Sequence, residues 1–201
     1  QKHQGLEIET KIQPNDMVEL DLIASFGNWK FDGDADGTYQ ENEYNDDGQV
    51  IGYQTTDYAY ALDGLYVGDM PQTAYILGVT LKPIKGLRLQ ALYKTYDKNY
   101  SDWSPSAREF DGTNDDADRS QVWEAPGYSK LDLHASYKLP IKGYDISLNA
   151  HVFNALDEVF VQDAVDNSQY NGYGSKEHLA HNAEVFLGTP RYANIGVSIN
   201  F

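Results

Sequence analysis

The densest chemistry in this sequence is Asp32-Gly33-Asp34-Ala35-Asp36-Gly37, followed by Glu43. It fits D-x-D-x-D-G-x₅-E, the spacing by which alternate carboxylates and a final bidentate Glu wrap Ca²⁺. Asp32, Asp34, Asp36 and Glu43 would supply side-chain oxygens, Gly37 a sharp turn and Thr38 a backbone carbonyl. Helices flank an EF-hand loop, whereas a strand pattern precedes this one, so a solvated acidic loop tip competes with calcium as the reading. The cluster from Asp111 to Asp118 is a second acidic loop without ligand spacing.

Histidines offer less. His134 and His151 alternate onto the polar side of neighbouring strand patterns, and a shared hydrogen-bond network is favoured there over metal or catalysis. His178 and His181, at i and i+3, would need a helix to coordinate one ion, and no third ligand accompanies them. No Ser sits in a nucleophile elbow and there is no Cys, so the chain is read as no enzyme, without thiolate sites or disulfides. Trp29, Trp103 and Trp123 fall just past strand ends, which suits an interfacial aromatic girdle, with stacking on a ligand as the rival. Tyr39, Tyr44, Tyr53, Tyr58 and Tyr60 would line a ligand surface or pack a loop.

These residues must be positioned by strands. Period-two alternation marks seven, at about residues 2–13, 17–31, 71–82, 86–99, 127–139, 143–155 and 189–201. In the fifth, Leu131, Leu133, Ala135, Tyr137 and Leu139 alternate with Lys130, Asp132, His134, Ser136 and Lys138. In the last, Ala193, Ile195, Val197, Ile199 and Phe201 alternate with Asn194, Gly196, Ser198 and Asn200. The apolar faces are uniform, and charge sits mid-strand on the other face.

Connection lengths decide the architecture. Those at Gln13–Asp16, Pro83–Gly86 and Pro140–Gly143 are short, while those at about 32–70, 100–126 and 157–188 are long. The two kinds alternate strictly, which suits short periplasmic turns and long external loops; a β-sandwich would have similar loops at both ends. With Phe201 in the periplasm, all three long loops lie outside. An eighth spanning strand at 50–66 would break that parity, so this Tyr-rich stretch is read as loop, a hairpin above the membrane. The long loops hold 23 of the 31 acids but only Arg108, Arg119 and Lys176 of the 15 bases. The net charge of −16 argues against nucleic acid, whose phosphates need basic stripes. Aromatics at 13% suit interfacial girdles, and no run approaches the ~20 apolar residues of a membrane helix.

The fold class expected is all-β: a portion of an antiparallel transmembrane β-barrel, with long acidic extracellular loops. Single-chain bacterial barrels have even strand numbers, so about seven strands are expected to belong to a larger barrel. The first strand pattern starts at residue 2 with no leader before it, which places the natural start upstream.

Several stretches resemble TonB-dependent receptors. "YSKLDLHASYKLP" (128–140) resembles their third-last strand, and "ISLNAHVFNALDEVF" (146–160) the strand before the last long loop. "GTPRYANIGVSINF" (188–201) resembles the closing strand, whose terminal Phe is an outer-membrane signature. "GLEIETKIQPNDMVELDLIASFGNWKF" (5–31) and "YVGDMPQTAYILGVTLKPIKGLRLQALYKTYD" (66–97) are similar to upstream hairpins, the latter in a Bacteroidota-like form. The resemblance implies a barrel of about 22 strands with a plug, in the bacterial outer membrane. It implies TonB as energy source, and import of a large scarce solute such as an iron chelate, cobalamin or a glycan. The implied partners are outer-membrane lipid, the rest of the barrel and its plug, and the barrel-assembly machinery acting through Phe201. The alternative is a transporter-like barrel with a structural or docking role in an envelope complex, beside a surface lipoprotein or other envelope protein.

Overall fold

The computed structural model describes residues 1–110, 117–167 and 177–200. Seven strands form one antiparallel sheet in chain order: β1 (Lys2–Asn15), β2 (Val18–Lys30), β3 (Thr73–Leu81), β4 (Leu87–Asp97), β5 (Tyr128–Lys138), β6 (Asp145–Phe153) and β7 (Tyr192–Asn200). Among the described residues the sheet stays open, with β1 and β7 at its two edges. Phe201 lies outside the described residues.

Register carries the alternation across the sheet. Leu20 pairs with Val79, Val79 with Ala91, Ala91 with Leu133, Leu133 with Val152 and Val152 with Ala193, so one apolar row crosses six strands. Among the described residues nothing covers this face. Ile195 is 84% exposed, and Val197, Leu6 and Ile8 are exposed with it. A soluble sandwich would bury such a face, and a barrel wall presents it to lipid.

The opposite face is polar and internally paired. Glu19 is buried among Lys82, which donates to its carboxylate, Lys11 at 3.6 Å and Arg88 at 3.7 Å. Higher up, Lys94 Nζ donates to Asp132 Oδ2 at 2.8 Å, and Asp132 Oδ1 accepts the Asn154 N–H at 2.9 Å. Charges held on pairs away from lipid are what the interior of a barrel requires.

The short turns follow from local chemistry. β1 continues through Pro14 to Asn15 past a register shift, two residues beyond the expected strand end and into the expected turn. Pro14 is tolerated because β1 is an edge strand and needs no donor on its open side. Asn15 Oδ1 then accepts the Met17 N–H at 2.9 Å and closes the turn. The other two turns share the sequence Pro-Ile-Lys-Gly, and their glycines, Gly86 and Gly143, take φ of 88° and 85°. At Gly86 a Cβ would stand 2.7 Å from the Lys138 carbonyl oxygen, which leaves room for glycine alone.

The apolar core is not in the sheet. Leu62, Leu65, Tyr100, Trp103 and Val122 form the buried cluster, with Phe31, Ala35, Tyr60 and Tyr66 packed on it. All nine belong to the long connections rather than to the seven strands. The connections therefore fold into a layer at one rim, stabilised by burial that the sheet itself does not need from protein.

Candidate functional site

This rim layer is built from strands without apolar alternation, two of 10 and 11 residues in one hairpin and the rest of two to six residues. Ala35–Tyr44 and Val50–Tyr60 form a hairpin, joined at its base by Glu109–Phe110. Val161–Asp166 pairs with Ala183–Leu187 and, in parallel, with Asp102–Trp103. Of the stretch at 50–66 read as loop, Val50–Tyr60 is one arm of this hairpin, and its partner is Ala35–Tyr44 rather than a second half of the same stretch. The hairpin tip exposes Tyr44, Val50, Ile51 and Tyr53.

Arginines clamp the layer. Arg119 makes a two-pronged pair with Asp34, at 2.8 and 2.7 Å, while Asp34 Oδ1 also accepts the N–H groups of Leu62 and Asp63. The Arg119 guanidinium beside Asp34 holds its carboxyl well below the usual carboxylate range, despite some desolvation that opposes it. Arg108 is fully buried under the Trp103 ring, donating to the carbonyls of Asp118 and Ser120 at 3.1 and 2.8 Å and pairing with Asp118 Oδ1 at 3.3 Å. His178 lies between Asp118, 2.7 Å from Nε2, and Asp166, which meets Nδ1. The second and third long connections are thus tied by one buried charge network.

His178 titrates within that network. Asp166 foremost, with Asp118, raises its pKa above the ordinary 6.5, against desolvation and Arg108. Burial pushes Asp118 up, but His178, the Ser120 N–H and Arg108 outweigh it and leave the carboxyl below 3.8. A raised histidine pKa stabilises fully below the unfolded value and loses that contribution as pH climbs through the folded one. A lowered carboxyl pKa works oppositely, stabilising above its unfolded value and failing as pH falls through the folded one. Hydrogen-exchange protection of 102–110 and 161–167 is therefore expected to be fullest between the ordinary carboxyl and imidazole values of 3.8 and 6.5, and to decline as pH rises past His178's raised pKa. His178→Gln should flatten that alkaline limb. An unchanged limb in the variant would assign the titration elsewhere.

The calcium-spaced residues are not brought together. Asp34 is committed to Arg119, and Asp36, Thr38 and Glu43 lie in the extended Ala35–Tyr44 strand opposite Ala59, Asp57 and Gly52. Seven strand steps separate Asp36 from Glu43 by about 23 Å, whereas calcium ligands must converge within about 2.6 Å of one ion. The strand ladder takes the backbone that a wrapping loop would need. Among the described residues no three His, Asp or Glu side chains are placed to hold a metal ion. Asp111–Asp116 of the second acidic cluster lie outside the described residues.

Other expected positions resolve differently. His134 and His151 do meet, Nδ1 to Nδ1 at 2.8 Å. His178 and His181 diverge, because His178 is buried in the network while His181 is exposed beside Glu177. Trp103 is core rather than girdle, tilted on Phe31 at 5.4 Å. Trp29 lies against His3 at 5.5 Å.

Two of the stretches quoted for the family resemblance turn out to be rim fasteners. Gln72, buried, accepts the Trp29 N–H at 2.8 Å and donates to the Trp29 and Val67 carbonyls, so its amide completes a strand pairing where "VGDMPQ" meets β2. In "FNALD", Asn154 takes φ of 47° and donates to the carbonyls of Glu158 and Thr189, and Asp157 accepts the Arg191 N–H at 3.0 Å. These links bring the start of the third long connection to its end.

With this geometry in view, comparison with known proteins is decisive: the family model for the TonB dependent receptor-like β-barrel matches residues 1–155. The chain belongs to that family. It is a transmembrane β-barrel segment of the bacterial outer membrane, and the receptors of its family are transporters rather than enzymes. No curated protein matches it. Solved structures similar to it include BauA, the ferric preacinetobactin receptor of Acinetobacter baumannii, at 15% identity and TM-score 0.42, covering 100% of this chain and 30% of that one. Another is Fiu, the ferric-catecholate import receptor of E. coli K12, at 16% identity and TM-score 0.40, covering 98% and 27%. The TonB-dependent receptor chain described here thus spans under a third of the length of either structure.

Proposed function

We propose that the whole protein is a TonB-dependent importer of a large scarce solute, and that this chain supplies barrel wall and a substrate-facing outer rim. The observation that carries the proposal is the folded rim layer: its apolar core and buried Arg108 network are built by the connections at one rim of a wall whose apolar face is exposed. Loops that serve only to connect strands need no core of their own. A plug, and TonB as the source of energy, are part of the same proposal. The acidic rim disfavours a strongly anionic ligand, since like charge raises the cost of approach. Neutral or cationic chelates, cobalamin or neutral glycans are the favoured classes.

The test is uptake. Cells lacking the protein are expected to lose accumulation of one labelled solute from these classes, with restoration by the intact gene and not by one lacking residues 32–70. Undiminished uptake of every class in the deletion strain would refute transport. A docking role in an envelope complex is the second reading, favoured by the exposed Tyr44, Val50, Ile51 and Tyr53 at the hairpin tip. In that case a stable partner would co-purify with the intact protein and be lost on replacing those four residues by serine, with uptake unaffected.

A further inference from the structure

We propose that His134 and His151, facing one another on the polar side of the sheet, bind a divalent transition-metal ion of tetragonal preference, Cu²⁺ or Ni²⁺. The pair is set by register. Gln90, His134, His151 and Asn194 are mutual partners on β4, β5, β6 and β7, so two imidazoles and two amides stand in one row. The row borders an open cavity of about 580 Å³ that also receives Arg88, Ser136 and Phe153. Phe153 limits ring rotation, edge-on to His134 at 5.4 Å and stacked near His151 at 6.0 Å.

The separation of the nitrogens selects the ion. The two Nδ1 atoms are 2.8 Å apart. With metal–imidazole bonds of about 2.0 Å, two ligands at a right angle stand about 2.8 Å apart, while a tetrahedral angle needs about 3.3 Å. Square-planar and tetragonal sites with nitrogen ligands belong to Cu²⁺ and Ni²⁺, and Cu²⁺ binds most tightly of the first-row divalent ions. Without metal, one Nδ1 carries a proton and donates to the other. Binding shifts the donating ring to its Nε2–H tautomer, with no net proton loss, and leaves both Nδ1 atoms as lone-pair donors, the remaining coordination positions falling to water or the neighbouring amides. Arg88, the cation lining the cavity, is directed away toward Thr80 at 3.2 Å and Glu19 at 3.7 Å. Asp132, two residues along β5 on the same face, is committed to Lys94 and the Asn154 N–H and leaves the imidazole pair as the donors of this site. The inference does not depend on which solute the receptor imports.

The experiment is titration of the tag-free full-length protein with CuSO₄ at pH 7.5, followed by electron paramagnetic resonance. An axial Cu²⁺ spectrum with nitrogen superhyperfine structure is expected at a stoichiometry one equivalent higher than in His134→Ala or His151→Ala. His134→Gln should lose the same equivalent, and Asn194→Ala should keep it. Heat-modifiable gel migration shows that each variant is folded, and only folded variants are compared. Equal Cu²⁺ stoichiometry in the parent, His134→Gln and His151→Ala would overturn the site. So would a spectrum of oxygen ligands alone.

Discussion

Replacing Arg108 by methionine is expected to destabilise the outer rim layer by roughly 3–5 kcal/mol, the usual cost of breaking a buried ion pair from one side. The side chain is wholly buried, and it holds Asp118 together with two carbonyls. Its loss strands those acceptors, and leaves Asp118 and Asp166 with His178 as the remaining cation of the network. Hydrogen exchange on the full-length protein should show protection collapsing over 102–110, 117–125 and 161–167 while β3 to β6 stay protected. Coupling Arg108→Met with Asp118→Asn should recover part of the loss, because the second change removes the stranded charge. Unaltered exchange in the single variant would mean that the network is not what holds the layer.

Arginine at Leu133 is expected to cost roughly 2–4 kcal/mol of barrel stability if its depth is near mid-bilayer, whereas arginine at Ser136 should cost much less. Leu133 lies in an apolar row between Ala91 and Val152 and is exposed. Ser136, three residues on, pairs with Arg88 and Asn149 on the polar face and borders the cavity there. Reversible urea unfolding of the full-length barrel in phospholipid vesicles measures both. Equal cost at the two positions would contradict the assignment of faces.

The wall was legible because its determinants are local. Alternation at Leu131, Leu133 and Ala135 against Asp132, His134 and Ser136 states which side meets lipid, and no distant partner has to be known. The Pro-Ile-Lys-Gly turns carry their own geometry in a glycine of positive φ. Even the meeting of His134 and His151 follows from period two plus a short turn between adjacent strands. The rim obeys no such period. Asp34 looked like a calcium ligand because its spacing to Asp32, Asp36 and Glu43 fits a loop, yet the partner that claims it, Arg119, lies 85 positions away. Trp103 read as girdle until Phe31 and Arg108 closed over it. Neither Gln72 nor Arg108 carries a signal of its burial, since a polar residue between strands looks the same whether solvated or buried. What the sequence determined by itself is the two-faced wall, where lipid and a barrel interior replace tertiary contacts as the judges of each side chain. Only the tertiary structure decided the rim, because there each charge takes its meaning from a partner that chain folding, not chain order, brings within 3 Å.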